Sequence, residues 1–151
     1  MPRIKGVVTQ GGNDTFTAGT IDTGLTADGK VGWEITGFKA FWSNGYTAAA
    51  ADAIANAVLA TIATVTTFDS DDEIARVSWG VQNTAGVAVA MTFDPIKVAD
   101  FAETRVTVQP NIYVHAASTT TGITGVIYYE VDYEVVKLTD LEVMRLLVGG
   151  A

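Results

Sequence analysis

The stretch Tyr128-Tyr129-Glu130-Val131-Asp132-Tyr133-Glu134-Val135-Val136 alternates in character from one residue to the next. Tyr129, Val131, Tyr133 and Val135 share one side, and Tyr128, Glu130, Asp132 and Glu134 share the other. Side chains repeat with period two along a β-strand, so an apolar row backed by an acidic row marks a sheet with one buried and one solvated face. The strand predicted here runs from about Gly125 to Lys137, and it is the longest in the chain.

Downstream the period changes. Thr139-Asp140-Leu141-Glu142 has the form of a capping box, with Thr139 as N-cap and Glu142 three residues on. Leu138 and Val143 stand where a hydrophobic staple would, and Leu141, Met144 and Val148 recur at helical spacing before Gly149-Gly150. A short helix over 139–148 is predicted. Isolated helices under roughly 12–15 residues are marginal in water, so it needs something to pack on.

Upstream, strands are predicted at Ile4–Gln10, Thr15–Thr23, Gly32–Ser43, Ile74–Gln82, Val87–Phe93, Arg105–Val108 and Ile112–Ala116. Gly11-Gly12-Asn13-Asp14 and Asp28-Gly29 between them carry hairpin-turn chemistry. Strict alternation over Gly32–Ser43 places Trp33, Ile35, Gly37, Lys39 and Phe41 on one face and Glu34, Thr36, Phe38, Ala40 and Trp42 on the other. With aromatics on both faces, that strand is expected to touch the core on one side and a helix, loop or neighbouring subunit on the other. Ala51, Ile54, Ala55 and Val58 fall at helical spacing in an Ala-rich stretch, predicting a short central helix or helical loop, with Thr61–Thr67 as the strand after it. Ile96–Glu103 has room for one helical turn. Many short strands with regular turn signals and few helices give an all-β, antiparallel β-sandwich, with a jelly roll favoured.

The chain has 151 residues, which suits a single domain over 1–151. It is 48% hydrophobic and only 17% charged, where an average soluble domain carries roughly 25% charged residues. Low surface charge fits a protein that shares surface with other subunits, since interface cores are depleted of charge. A net charge of −8 repels phosphate backbones, so direct nucleic-acid binding is not expected. There is no cysteine, which excludes disulfides and thiolate metal sites. The N-terminal residues lack the apolar run of a signal peptide, and Ala48–Val65, interrupted by Asp52 and Asn56, is too weakly apolar for a membrane span.

Four constellations in the sequence hold residue types able to do chemistry. Asp22-Thr23-Gly24 has the letters of the aspartic-protease triplet, which in a homodimer would bring two carboxylates together. Leu25 follows where those enzymes want a small residue, and Asp-Thr-Gly is also ordinary turn chemistry. Asp69, Ser70, Asp71, Asp72 and Glu73 offer oxygen ligands for calcium but lack the spaced, Gly-turned pattern of a calcium loop. His115, the only histidine, alternates within a strand without flagged partners. Trp33, Trp42 and Trp79, with Tyr46, Tyr113, Tyr128, Tyr129 and Tyr133, admit a carbohydrate-stacking role beside a packing role. No catalytic, cofactor or metal residue is assigned from these, and no enzyme activity is expected.

The Thr/Ala/Gly/Val-rich strands, the aromatic strand Gly32–Ser43, the absence of cysteine and the closing strand-to-helix segment together give a family likeness. The chain resembles the small all-β virion structural proteins of bacterial and archaeal viruses, chiefly single jelly-roll capsid or decoration subunits. That resemblance implies self-assembly into a homo-oligomer, possible contacts with other virion proteins, and location in the virion after synthesis in the host cytoplasm. Its N-terminal segment Met1–Gln10 and helix Thr139–Val148 would dock on neighbours. Many capsid subunits carry a basic arm for the genome, and here only Arg3 and Lys5 could serve. The alternatives are a carbohydrate-binding β-sandwich module and, more remotely, a homodimeric aspartic protease.

Overall fold

A computed structural model describes residues 2–12, 14–42, 53–66, 71–84, 87–91, 105–119 and 125–148. They contain nine strands: β1 (Arg3–Thr9), β2 (Thr17–Asp22), β3 (Val31–Trp42), β4 (Ala53–Ala60), β5 (Glu73–Thr84), β6 (Val87–Met91), β7 (Arg105–Thr107), β8 (Asn111–Thr119) and β9 (Val126–Lys137). One helix follows, α1 (Asp140–Val148), and a single 3-10 turn spans Ala27–Gly29. The strands form two antiparallel sheets with orders β1-β9-β3-β7 and β2-β8-β4-β5-β6.

The pairings fix the topology. Setting β6 aside, β1 pairs with β9, β2 with β8, β3 with β7 and β4 with β5. First joins last, second joins second-last, and so on inward: a long antiparallel hairpin rolled over itself until its layers stack as two sheets. That is a jelly roll, with β6 added at one edge through its pairing to β5. The core between the sheets is built from Val8, Ile35, Phe38, Ala57, Leu59, Val77, Ile112, Val114, Ile127 and Val131, among others.

The rolled topology explains why two turns are not hairpins. Residues 10–16 join β1 to β2, and 23–30 join β2 to β3, but in each case the two strands lie in different sheets. Both segments are corners between layers, and Lys30, with φ of 49°, makes the left-handed bend into β3.

The predicted central helix is overturned where it is described. Ala53–Ala60 is strand β4, hydrogen-bonded to β5 on one edge and β8 on the other. Alanine favours helix by only tenths of a kcal/mol per residue, and pairing along both edges outweighs that preference. Ala55, Ala57 and Leu59 face the core at period two. The strand predicted at Thr61–Thr67 is replaced over 61–66 by bends and irregular chain. The rest of the predicted helical loop (47–52), the Ile96–Glu103 turn, and Asp69 and Ser70 lie outside the described residues.

Strict alternation also fails inside β3. Ile35 pairs with Tyr133 and Gly37 with Asp132, so Thr36 is an extra residue, a β-bulge. Because the side-chain period is two, one inserted residue exchanges the faces beyond it. Trp33 and Ile35 face the core before the bulge, and Phe38 and Ala40 face it afterwards, leaving Lys39 and Phe41 outside. A glycine inside a strand often marks such a bulge, and Gly37 is that signal.

Candidate functional site

The Asp22-Thr23-Gly24 triplet is a strand-ending turn. The Gly24 N–H donates to Asp22 Oδ1 at 2.8 Å, and Gly24 takes a φ of 68° that favours glycine. Thr23 donates through Oγ1 to the Gln109 carbonyl at 2.7 Å and through its N–H to the Pro110 carbonyl at 3.0 Å. The triplet thereby fastens the end of β2 to the β7–β8 turn, with an exposed carboxylate committed to the local loop.

The acidic cluster divides. Asp71 and Asp72 lie in a turn, whereas Glu73 begins β5 and is buried. Arg76 grips its carboxylate with two bonds, at 3.0 and 2.7 Å, and Thr66 Oγ1 donates to it at 3.0 Å. Among the described residues no group of three or more His, Cys, Asp or Glu stands ready for a metal.

His115 is buried, with Nε2 2.7 Å from the Ile62 carbonyl oxygen. A carbonyl only accepts, so Nε2 carries the proton. Phe16 meets the ring edge-on with centroids 4.9 Å apart. Burial pulls the imidazole pKa below its ordinary value, against the opposing effects of the Ile62 bond and of Glu73. His115 and the Glu73–Arg76–Thr66 set therefore tie the segment after β4 onto β8 and β5.

Sequence reading missed Gln10. It is buried at the end of β1, where its Nε2 reaches Ser118 Oγ at 2.9 Å and the Thr15 carbonyl at 2.5 Å. Its Oε1 accepts from the Gly125 N–H at 2.9 Å. One amide thus joins β1, β8 and the start of β9. A glutamine at a strand end carries no signal of this kind in the sequence.

The predicted aromatic set separates into core and surface. Trp33 is buried, and Tyr129 lies over Gly6 in the opposing strand. Phe41 and Tyr128 are neighbours on the outer face of the β1-β9-β3 sheet, stacked at 5.2 Å and 18°, and both are exposed. Tyr46 and the side chains of Trp42 and Trp79 lie outside the described residues. Around the exposed pair, Val7, Lys5, Lys39 and Glu130 complete a shallow, mainly apolar hollow of about 580 Å³. Lys5 Nζ sits 3.2 Å from Glu130, and Arg3 bridges to Glu130 at 3.5 Å and to Asp132 at 2.6 Å. The guanidinium holds the Asp132 carboxyl below the usual carboxylate range. These contacts hold Arg3–Thr9 as an edge strand of its own sheet, at the place where the strand Ile4–Gln10 is predicted.

The second exposed apolar feature is α1. The predicted capping box is formed: the Glu142 N–H donates to Thr139 Oγ1 at 3.3 Å, and the Thr139 N–H donates to Glu142 Oε2 at 2.7 Å. Only Val143 of the helix is buried. Leu141, Met144, Leu147 and Val148 are 58%, 63%, 43% and 89% exposed. Leu146 reaches a smaller hollow of about 350 Å³ with Thr61, Ile74 and Thr107. No helix among the described residues is long and apolar enough to cross a membrane.

No protein-family model matches the chain, and no curated protein sequence matches it. The chain is similar to a solved structure of Desmodium yellow mottle tymovirus, with 14% identity and a TM-score of 0.31. That alignment covers 91% of this chain and 90% of the other.

Proposed function

We propose that this chain is a structural subunit that assembles with copies of itself, as a capsid or decoration protein of a virion. The observation that carries the reading is α1. A nine-residue helix anchored through one buried side chain leaves four large apolar side chains in water. A helix this short is marginal without packing, and contiguous apolar surface on a soluble domain marks an interaction site. The jelly roll recurs in viral capsid and lectin domains, so the fold is compatible with the role without assigning it. The net charge of −8 favours protein partners over genome contacts, and the role involves no catalytic step, cofactor or metal.

Mass measurement by light scattering with electron microscopy tests the proposal. A large, regular oligomer is expected, and Leu141→Glu with Met144→Glu, or truncation after Lys137, should reduce it to monomers. A monomer at micromolar concentration overturns the reading. The exposed Phe41–Tyr128 pair supports a second reading, carbohydrate binding by ring stacking. That reading requires hits on a glycan array that are lost on Tyr128→Ala; an array without hits removes it.

A further inference from the structure

We propose that residues 61–66 form an acid-released strap on the outer face of the β2-β8-β4-β5-β6 sheet, latched by His115 and able to open while the two sheets stay packed. The strap lies within one copy, so its opening does not depend on self-assembly.

The register fixes where the strap runs. Ala57, Val77, Val114 and Ala116 face the core, so the alternate residues Val58, Arg76 and His115 point outward. Val58 pairs with His115 on one side and with Arg76 on the other, which sets the three in one row across the sheet. Outward side chains are buried only under a cover, and Val58 and His115 are 4% and 2% exposed. The segment after β4 meets the row at both ends. The Ile62 carbonyl oxygen lies 2.7 Å from His115 Nε2, and the Thr66 carbonyl accepts from Arg76 at 3.1 Å. The row spans two strand spacings, about 10 Å, and the four steps from Ile62 to Thr66 can reach about 13 Å. The strap therefore crosses β4 above Val58. At Asn56, two residues back along β4, the partner Ser78 is exposed, so the cover ends there.

The strap is built to yield before the sheets do. It has no strand pairing, and Ala63, Thr64 and Val65 are exposed, the features of a segment that opens locally. Thr61 is held by Asp72, Ile62 by His115, and Thr66 by Glu73 and Arg76. At neutral pH the latch is an uncharged imidazole donating from Nε2. A proton on Nδ1 would place a positive charge beneath the strap. Ala18 of β2, Val58 of β4, Phe16 and the strap itself bring no charge to the ring. From β5, Glu73 favours the proton and Arg76 opposes it, and the Glu73 carboxylate is already gripped by Arg76 through two bonds. A buried charge without its own counterion is costly, and lifting the strap returns the imidazolium to water. The open form takes the proton first as pH falls below about 6.5, so opening grows with acidity until the closed form is protonated too.

The absence of cysteine gives a clean test. Val58→Cys places one thiol beneath the strap, and Ala57→Cys places one in the core, where only unfolding of the sandwich exposes it. Each is labelled with 4,4′-dithiodipyridine from pH 7.5 to 5, and its rate is divided by that of the same variant in denaturant. Circular dichroism on the same samples reports folding. Between those pH values the Val58→Cys ratio should rise at least about fivefold, while the Ala57→Cys ratio changes less than about twofold. Adding His115→Gln, which can still donate to Ile62 but takes up no proton, should flatten the Val58→Cys profile. Labelling at pH 7.5 as fast as in denaturant overturns the cover. A flat profile with His115 present, a rise that survives His115→Gln, or an equal rise at Ala57→Cys overturns the latch. Should Val58→Cys misfold, hydrogen exchange at the Thr61 amide of the unaltered chain replaces it. Faster exchange there at acid pH than the intrinsic rate predicts, with the middle of β4 unchanged, is the expected result, and no such excess overturns the strap.

Discussion

The indole of Trp33 lies flat on the ring of Tyr133, with centroids 3.8 Å apart and planes inclined by 15°. They are diagonal neighbours across β3 and β9, just before the Thr36 bulge. Trp33 is buried and Tyr133 packs against the core, so the stack closes the Lys30 end of the sandwich. Trp33→Ala should cost about 3–5 kcal/mol. Trp33→Phe should cost less, because a smaller ring can keep part of the stack. Urea unfolding monitored by far-UV circular dichroism measures both, and a loss below about 1 kcal/mol for Trp33→Ala would show that the indole is not packed as described.

Gly6 faces the Tyr129 ring across β1 and β9, and a Cβ built on Gly6 would fall within the ring's own contact radius. Gly6→Ala is therefore expected to destabilise by about 1–3 kcal/mol, the usual range for overpacking. Tyr129→Leu in the same chain should remove much of that penalty. A double-mutant cycle with coupling above about 0.5 kcal/mol supports the contact, and simple additivity refutes it.

Gln10→Ala would leave the Ser118 hydroxyl and the Gly125 N–H without their buried partner. The expected cost is about 1–3 kcal/mol. Hydrogen exchange gives the sharper readout: the Gly125 amide should lose protection in the variant, while amides in the middle of β4 keep theirs. Unchanged protection at Gly125 would mean the amide cluster does not hold that corner.

Acidification should weaken the fold in two separate windows. His115 binds its proton less readily when folded, so the unfolded chain takes up protons first as pH falls below about 6.5. Stability is full above that value and declines as pH falls toward the lowered folded pKa. Asp132 is also lowered, by its bond to Arg3. Its contribution is present above about 3.9 and disappears as pH falls through the folded value. Melting temperatures from pH 8 to 3 should show both declines, with His115→Asn removing the first and Arg3→Ala reducing the second. A flat profile between pH 7.5 and 5 contradicts the burial of a neutral His115.

Features set by neighbours in sequence were legible. The alternation of Tyr128–Tyr133 identified β9 and its inward face, although Val135 in the same row is 59% exposed, and Thr139 with Glu142 identified the start of α1 to within a residue. The surfaces offered as functional were legible only in part. Tyr128 was marked as a candidate aromatic, but its partnership with Phe41 depends on the bulge at Thr36, which turns Phe41 outward. The helical spacing of Ala51, Ile54, Ala55 and Val58 misleads because local propensity is worth only tenths of a kcal/mol per residue, while β4 pairs along both edges with strands distant in the chain.

The sequence by itself determined an antiparallel β protein with a capped C-terminal helix, because residue periods and caps are decided within a few positions of the chain. Tertiary structure alone decided which turns cross between sheets, that Glu73 and His115 are buried anchors, and that Gln10 joins three strands. It also placed the apolar side of α1 and the hollow at Phe41 and Tyr128 at opposite ends of one sheet. The physical reason is range. Those relationships join residues tens of positions apart, and they arise only when the rolled hairpin closes and burial chooses which side chains it can satisfy.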